Sequence, residues 1–269
     1  MIPSFPLASK TLIKQIIALQ QKKFRKRDGL FVVEGMRSVQ SALTIKKDDQ
    51  LACLLISEAT NPPPELLAAC RRRSVEVYIA HTSDFAKCSD VVQSQGVLAV
   101  ARIPKTLPET LQKCRHILTL NGIQDPGNVG TLIRTAAWFG IDAILADAAT
   151  ADFFQPKVVR ATMGGIWDVQ LFQVPLLNET LASLRRQGFR IYGADLSGIR
   201  IEAWQPQAPS VLIAGSEAHG LAAEVRAICD EMVYIPGAGN SGVESLNVAI
   251  ATGILAARWT TTHAVSPFP

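Results

Sequence analysis

The alternation of apolar and polar positions divides the chain into two α/β series. In the first, Leu12, Ile13, Ile16, Ile17 and Leu19 fall at helical spacing over 12–21. A basic run, 22–27, follows. Leu30, Phe31, Val32 and Val33 form a short continuous apolar run, the pattern of a buried strand, ended by Glu34-Gly35. Residues 36–44 read as helix and 51–56 as strand. Pro62, Pro63 and Pro64 interrupt the chain before a helix at 65–73, and strands follow at 75–79 and 96–101. This is the pattern of a small α/β module.

Residues 102–114 contain Pro104 and Pro108 and are weakly periodic, so a linker is placed there. Beyond it the pattern predicts strand 116–120, loop 121–127, helix 128–139, strand 143–146, helix 156–163, strand 169–173 and helix 178–187. Strands 189–194 and 210–214, helix 221–228, strand 232–235 and a last helix 245–258 complete the series. Strands alternating with helices imply a mainly parallel, doubly wound sheet. No internal repeat or low-complexity tract interrupts it, and the tail 260–269 is expected to fray.

Composition narrows the class. The chain has 269 residues, 48% hydrophobic and 19% charged, enough to bury a core and unlike a disordered chain. Its net charge is +4, but ten basic and four acidic residues give the first 50 positions +6, against −2 for the rest. The basic excess therefore belongs to the N-terminal part, where it is either a solvated charge run or a phosphate-binding patch. Five cysteines (53, 70, 88, 114 and 229) form no CxxC pair, which argues against a disulfide scaffold or zinc ribbon. Residues 1–10 lack a signal pattern, and no apolar run approaches about 18 residues. The expectation is a cytoplasmic protein without a membrane span.

Three loop segments of the second series each end a predicted strand and combine glycine with polar residues, where open α/β sheets bind ligands. In the first, Asp125-Pro126-Gly127 reads as a turn, Asn128 as the cap of the next helix, and Gly130 as a site of close approach. Arg134 follows on the helix's second turn. It is either a surface arginine or part of an anion clamp. In the second, strand 210–214 runs into Gly215-Ser216-Glu217 and then His219-Gly220. Glu217 reads either as a first-turn carboxylate or as a functional one, and no GxSxG pattern accompanies it.

The third runs from Tyr234 to Ala249. Gly237 to Gly242 formally matches GxGxxG, yet no Asp or Glu follows Glu244, so the nicotinamide or flavin reading fails. No P-loop sequence is present either. What remains is a loop feeding the first turn of an apolar helix, with Ser245 and Asn247 at its start. Amides there can hold an adenosine or a carboxylate. The apolar helix 246–259 must be buried within its domain or against a second subunit.

Taken in order, these segments resemble the three motifs of the SpoU family of RNA ribose 2′-O-methyltransferases, of the SPOUT class. The first motif is Asn128-x-Gly130 with Arg134, and the second is Gly215-Ser216-Glu217 with Gly220. The third is Ile235-Pro236 followed by Glu244-Ser245-Leu246-Asn247. Residues 156–164 resemble the family's helix between motifs one and two. Lys22-Lys23-x-Arg25 through Phe31-Val-Val-Glu34-Gly35 resembles its L30e-like substrate-binding domain. The likeness spans about 10–259. Ser216 stands where Asn is common, and the loop from Pro236 to Glu244 is longer and richer in glycine than usual.

The resemblance implies an L30e-like RNA-binding domain at 1–103, a linker at 104–114 and a SPOUT methyltransferase domain at 115–269. That domain would be α/β, with a parallel sheet and a deep trefoil knot. The implied reaction moves a methyl group from S-adenosylmethionine to a ribose 2′-hydroxyl, without metal. Arg134 would be the central catalytic residue, supported by Asn128, Glu217, Ser245 and Asn247. Gly215, Ser216, Ile235, Pro236, Gly237 and Leu246 would contact the cofactor. Lys22, Lys23, Arg25, Lys26 and Arg27 would hold RNA phosphates. Partners would be RNA, rRNA favoured over tRNA, and a second copy joined through the knotted region. The competing reading is a catalytically silent RNA-binding module of the same fold.

Overall fold

The computed structural model describes residues 5–44, 50–239 and 242–261. Residues 1–4, 45–49 and 240–241 lie outside them, as does most of the tail expected to fray. The chain forms two compact units: 1–105 with 152–167, and 106–151 with 168–269.

In the first unit, α1 (Lys10–Ala18) starts at Ser9, whose hydroxyl accepts from the Leu12 amide at 3.1 Å. The basic run is itself a helix, α2 (Lys22–Asp28), closed by Gly29. Then come β1 (Leu30–Glu34), α3 (Met36–Thr44), β2 (Leu51–Ser57), α4 (Pro64–Arg72), β3 (Glu76–Ala80), α5 (Thr82–Cys88) and β4 (Val97–Arg102). The sheet order is β1-β4-β2-β3, with β2 and β3 parallel and the other pairs antiparallel. Ile13, Ile16, Leu19, Leu55, Phe85 and Leu98 belong to one of its buried clusters.

Strand β1 is buried at four of its five positions, so it needs cover on both faces. The segment 152–167 lies against it. Its helix α7 (Pro156–Ala161) packs on β1, and Phe31 meets the rings of Phe154 at 4.9 Å and Trp167 at 5.6 Å. Sequence order alone groups these residues with the C-terminal domain. The uninterrupted apolar run of β1 explains why they are gathered here.

The second unit begins earlier than the expected linker allows. Pro108–Lys113 is a 3₁₀ helix whose Leu111 and the following Cys114 enter the core beside Ile117, Leu145 and Leu181. One buried position in a tight turn leaves little periodic signal, which is why the stretch reads as linker. The elements that follow are β5 (His116–Asn121), α6 (Pro126–Trp138), β6 (Ala143–Ala146), β7 (Gln170–Gln173), α8 (Leu177–Arg186), β8 (Arg190–Arg200), β9 (Ser210–Gly215), α9 (Ala223–Arg226), β10 (Glu231–Tyr234) and α10 (Val248–Thr261). The sheet order is β10-β8-β9-β5-β6-β7, and every pairing is parallel. The central strands β5 and β9 are buried on both faces, as their continuous apolar runs predict.

Two departures shape the ligand end of this sheet. Strand β8 extends to Arg200 rather than ending at 194. Between the pairs Met232–Gly193 and Val233–Ile199 its register shifts, so residues 194–198 bulge outward. Gly198 has φ +120°, and a Cβ there would meet the Met232 carbonyl oxygen at 2.2 Å. The last helix starts at Val248 rather than 245, leaving 242–247 as an irregular approach to it. Among the described residues, no helix is long and apolar enough to cross a membrane.

Candidate functional site

The carboxyl ends of β5, β9 and β10 lead into the three loops singled out by sequence, and the structure brings three of their polar side chains together. Helix α6 is capped by Asp125, not by Asn128: the Asp125 carboxylate accepts from the Asn128 amide at 2.8 Å, and Pro126 occupies the first turn. This corrects the expected turn at 125–127, which is the start of the helix. It also frees the Asn128 side chain.

That side chain donates to Glu217 Oε1 at 3.1 Å. Asn247 Nδ2 donates to the same oxygen at 2.7 Å and to Asn128 Oδ1 at 3.0 Å. The Val248 amide adds a bond to Glu217 Oε1 at 3.3 Å. Asn247 Oδ1 in turn accepts from the Ala249 and Ile250 amides at 3.0 and 3.3 Å, capping α10. Backbone donors thus fix which end of the Asn247 amide is oxygen, and that choice orients Asn128. Glu217 is no first-turn helix residue. It sits in a tight turn between Ser216 and Gly220, whose backbones exchange two hydrogen bonds, and α9 starts only at Ala223.

Beside this cluster lies a cavity of about 450 Å³. Ala214, Val233, Ile235, Leu246, Ala251 and Leu255 give it apolar walls, and Gly215, Ser216, Glu217 and Ser245 line its polar side. Gly215 is required by space: a Cβ would meet the Gly220 carbonyl carbon at 2.5 Å. Pro236 and Gly237 are not among the lining residues, although the sequence placed them there. The bulge contributes Ala194, Asp195 and Leu196, which no motif signalled. Burial pushes the Asp195 carboxyl up, but hydrogen bonds from Ser197 and Arg226 outweigh it and hold it below the usual range. Asp195 is therefore a charged strut of the rim, bound to Arg226.

Arg134 is exposed on α6 and has no partner among the described residues. Ser245 is exposed and lines the cavity without bonding to the Asn128–Glu217–Asn247 cluster. Asn121, at the end of β5, was missed by sequence. Its Oδ1 accepts from the Ala222 amide at 2.9 Å and its Nδ2 donates to Asp147 at 2.8 Å, tying three loops together.

In the first unit, Lys22, Lys23, Lys26 and Arg27 are exposed, with Lys23 and Arg27 over the Phe24 ring and Arg27 also paired with Asp28. Arg25 leaves the expected RNA-binding set. It is 3% exposed, donates to the Leu19 and Gln20 carbonyls and pairs with Asp152 at 2.7 Å. Its place on the inner face of α2 turns it toward the core while its neighbours face solvent. No cluster of three or more metal-ligating side chains occurs among the described residues.

A parallel α/β sheet with an apolar cavity and an amide-carboxylate cluster at its carboxyl end is the arrangement of a ligand-binding α/β domain. The SpoU rRNA Methylase family model matches residues 115–257, and an MRM3-like substrate binding domain matches 10–99. The chain belongs to the SpoU methylase family. The 23S rRNA (guanosine(2553)-2′-O)-methyltransferase RlmP of Bacillus subtilis is 32% identical over 90% of this chain and 93% of its own length. A TrmH-family protein from Porphyromonas gingivalis superposes with TM-score 0.80 at 35% identity, covering 96% of this chain and all of that one. An AdoMet-bound rRNA methyltransferase from Sinorhizobium meliloti gives TM-score 0.82 at 26% identity, covering 97% and 98%.

Proposed function

We propose that the chain transfers a methyl group from S-adenosylmethionine to a ribose 2′-hydroxyl of rRNA. The observation that carries this reading is the Asn128–Glu217–Asn247 cluster at the edge of the glycine-lined cavity. The cavity suits the cofactor. Its size falls in the range of about 300–1,000 Å³ usual for small-molecule sites. Its apolar walls offer an adenine slot, and Gly215, whose missing Cβ lets the Gly220 backbone pack against it, lets the 216–220 turn fold back along the cavity edge.

When bound, S-adenosylmethionine supplies an electrophilic methyl group. The chain must position the hydroxyl and stabilise the charge that grows on its oxygen. Arg134 serves that purpose: guanidinium keeps its proton, so it acts on a phosphate and on the developing oxyanion rather than as a base. Asn128, oriented by Asn247, holds the ribose. Glu217 fixes both amides. Ser245 completes the polar edge of the cavity.

The same reading includes a knotted C-terminal segment. Asn247, after the last strand, bonds to residues following β5 and β9, which supports a passage of the chain between those loops. It also includes a homodimer. Ile250 and Ile254 on α10 are 57% and 40% exposed, and Trp138 on the neighbouring α6 is 84% exposed. These side chains supply an apolar face for a second copy. The N-terminal unit holds RNA through Lys22, Lys23, Lys26 and Arg27, and an rRNA substrate supports a cytoplasmic location.

The test is methyl transfer from tritiated S-adenosylmethionine to unmodified rRNA transcripts, with calorimetry for the cofactor. Saturable label located at a 2′-O position supports the reading. Cofactor binding without transfer to rRNA or tRNA would leave a silent RNA-binding module.

A further inference from the structure

Past residue 50 the charge sums to −2, which hides a second basic cluster, Arg71-Arg72-Arg73, at the end of α4. Arg71 and Arg72 are exposed and Arg73 is half-buried, and none of the three side chains has an ion pair or hydrogen bond among the described residues. Other arginines of this unit are paired: Arg25 with Asp152, Arg27 with Asp28 and Arg160 with Asp90. The helix dipole accounts for a cation in a last turn. Three in succession repel one another, and no described carboxylate offsets that. The strand directions decide where this cluster lies. Leu30, the start of β1, stands opposite Arg102, the end of β4. Leu51, the start of β2, stands opposite Ala101, and Glu76, the start of β3, opposite Cys53. The Ile103 amide donates to the Gly29 carbonyl at 2.8 Å, and the Val75 amide to the Cys70 carbonyl at 2.9 Å. Helix α2, closed by Gly29, and helix α4, closed by Arg73, therefore deliver their C-termini to the same end of the sheet.

We propose that Arg71, Arg72 and Arg73 form a second phosphate-binding cluster, and that an RNA backbone lies across this end of the sheet, held by α2 at one edge and by α4 at the other. The inference rests on the methyl-transfer reading above. In the order β1-β4-β2-β3, the edges β1 and β3 are three strand spacings apart, about 14 Å. That span lets the two clusters act on separate phosphates of one backbone. The carboxylates at this end are engaged: Asp28 by Arg27, and Glu76 by the Tyr78 hydroxyl at 2.8 Å. Glu34, which ends β1, Glu58, which follows β2, and Asp84, in the first turn of α5, lie toward the opposite end. The positive field of the arginines thus reaches solvent with little opposition. A guanidinium grips a phosphate with two parallel hydrogen bonds, so a row of three suits a phosphate backbone. A protein partner would need an apolar centre to the interface. None of the exposed large apolar side chains falls at 26–29, 71–76 or 102.

The experiment measures binding of an unmodified rRNA transcript by filter binding across a salt series, with methyl transfer to the same transcript. The variant combines Arg71→Gln, Arg72→Gln and Arg73→Gln. It should bind the transcript at least tenfold more weakly at low salt and raise its KM at least tenfold. Its log–log salt slope should flatten by about 1.4 or more, the contribution of two phosphates. The matching triple lysine variant keeps the charge and should retain most of the slope. The dissociation constant for S-adenosylmethionine should stay within twofold in both variants and reports an intact fold. Adding Lys22→Glu and Lys23→Glu to the glutamine variant should flatten the slope further. Unchanged RNA affinity and slope in the folded glutamine variant overturn the proposal while methyl transfer stands, and leave the cluster to an acidic protein face. A loss that the lysine variant shares in full also overturns it, because charge would then not be the cause. No label in rRNA or tRNA transcripts with wild-type enzyme overturns the methyl-transfer reading and this one with it.

Discussion

Asn247 Nδ2 lies 2.7 Å from Glu217 Oε1, while Asn247 Oδ1 caps the first turn of α10. One amide therefore joins a helix terminus to the carboxylate that organises the site. The two roles separate by substitution. Asn247→Asp keeps an oxygen for the cap but sets a second carboxylate against Glu217. Asn247→Ala loses the cap as well. The alanine variant should lose about 1 kcal/mol of stability, visible in thermal melting. The aspartate variant should melt nearer to wild type, yet lose at least tenfold in methyl transfer. Wild-type turnover in Asn247→Asp would remove this hydrogen bond from the mechanism.

Arg134 stands exposed on α6 and is absent from the cavity lining. Its removal should therefore separate chemistry from cofactor binding. Arg134→Ala is expected to cut methyl transfer by about 100-fold or more, the usual cost of losing a charge-stabilising donor. Calorimetry should give a cofactor affinity within twofold of wild type. A parallel loss of affinity would place Arg134 in the cavity instead.

Gly215 tests the floor of the cavity. An added Cβ meets the Gly220 carbonyl carbon at 2.5 Å, so the 216–220 turn must move. Gly215→Ala should cost about 1–3 kcal/mol by overpacking. It should also weaken S-adenosylmethionine binding at least tenfold, because Glu217 rides on that turn. Unchanged affinity in a folded variant would show that the turn does not set the pocket.

The parallel sheet was legible because β5 and β9 are continuous apolar runs, and the three site loops because each joins such a run to glycine and amide residues. The pairing of Asn128 with Glu217 and Asn247 was not. These residues are 89 and 119 positions apart, and only the strand order brings them together. The helix cap at Asp125 was misassigned to Asn128 because both residue types cap well and a proline in the first turn also reads as a turn. Residues 194–198 escaped notice because a bulge is a property of two paired strands, not of either alone. The basic run 22–27 read as a uniform surface, since charge patterning cannot tell which face of a short helix turns inward.

The five thiols bear on pH. Burial pushes Cys53, Cys70, Cys88, Cys114 and Cys229 each up to about 11, from an ordinary 9.0. A thiol whose folded pKa is raised favours the folded state while it stays protonated. That contribution is complete below pH 9 and is lost as the pH climbs through 11. Denaturant melts should thus show no thiol contribution to pH dependence near neutrality and a decline from pH 9 to 11. A thiol-directed reagent at pH 7.5 should label the native protein slowly and all five residues after unfolding. Rapid labelling of the native state would contradict the burial.

Arg25 and its neighbours in α2 should behave oppositely. Arg25 is buried and bound to Asp152, whose side chain is 14% exposed, so Arg25→Met strands that carboxylate without its partner. Breaking such a pair costs about 3–5 kcal/mol, and the variant should melt early with little direct effect on RNA affinity. Lys22 and Lys23 are exposed. Lys22→Glu with Lys23→Glu should leave melting within about 0.5 kcal/mol of wild type. The same double variant should weaken rRNA binding and flatten its dependence on salt, by about 0.7–0.9 in log–log slope for each phosphate that is no longer neutralised. The comparison is made by filter binding at several salt concentrations alongside thermal melts. An unchanged slope in the lysine variant would take α2 out of the RNA site, and a stable Arg25→Met variant would show that the Asp152 pair does not hold this unit together.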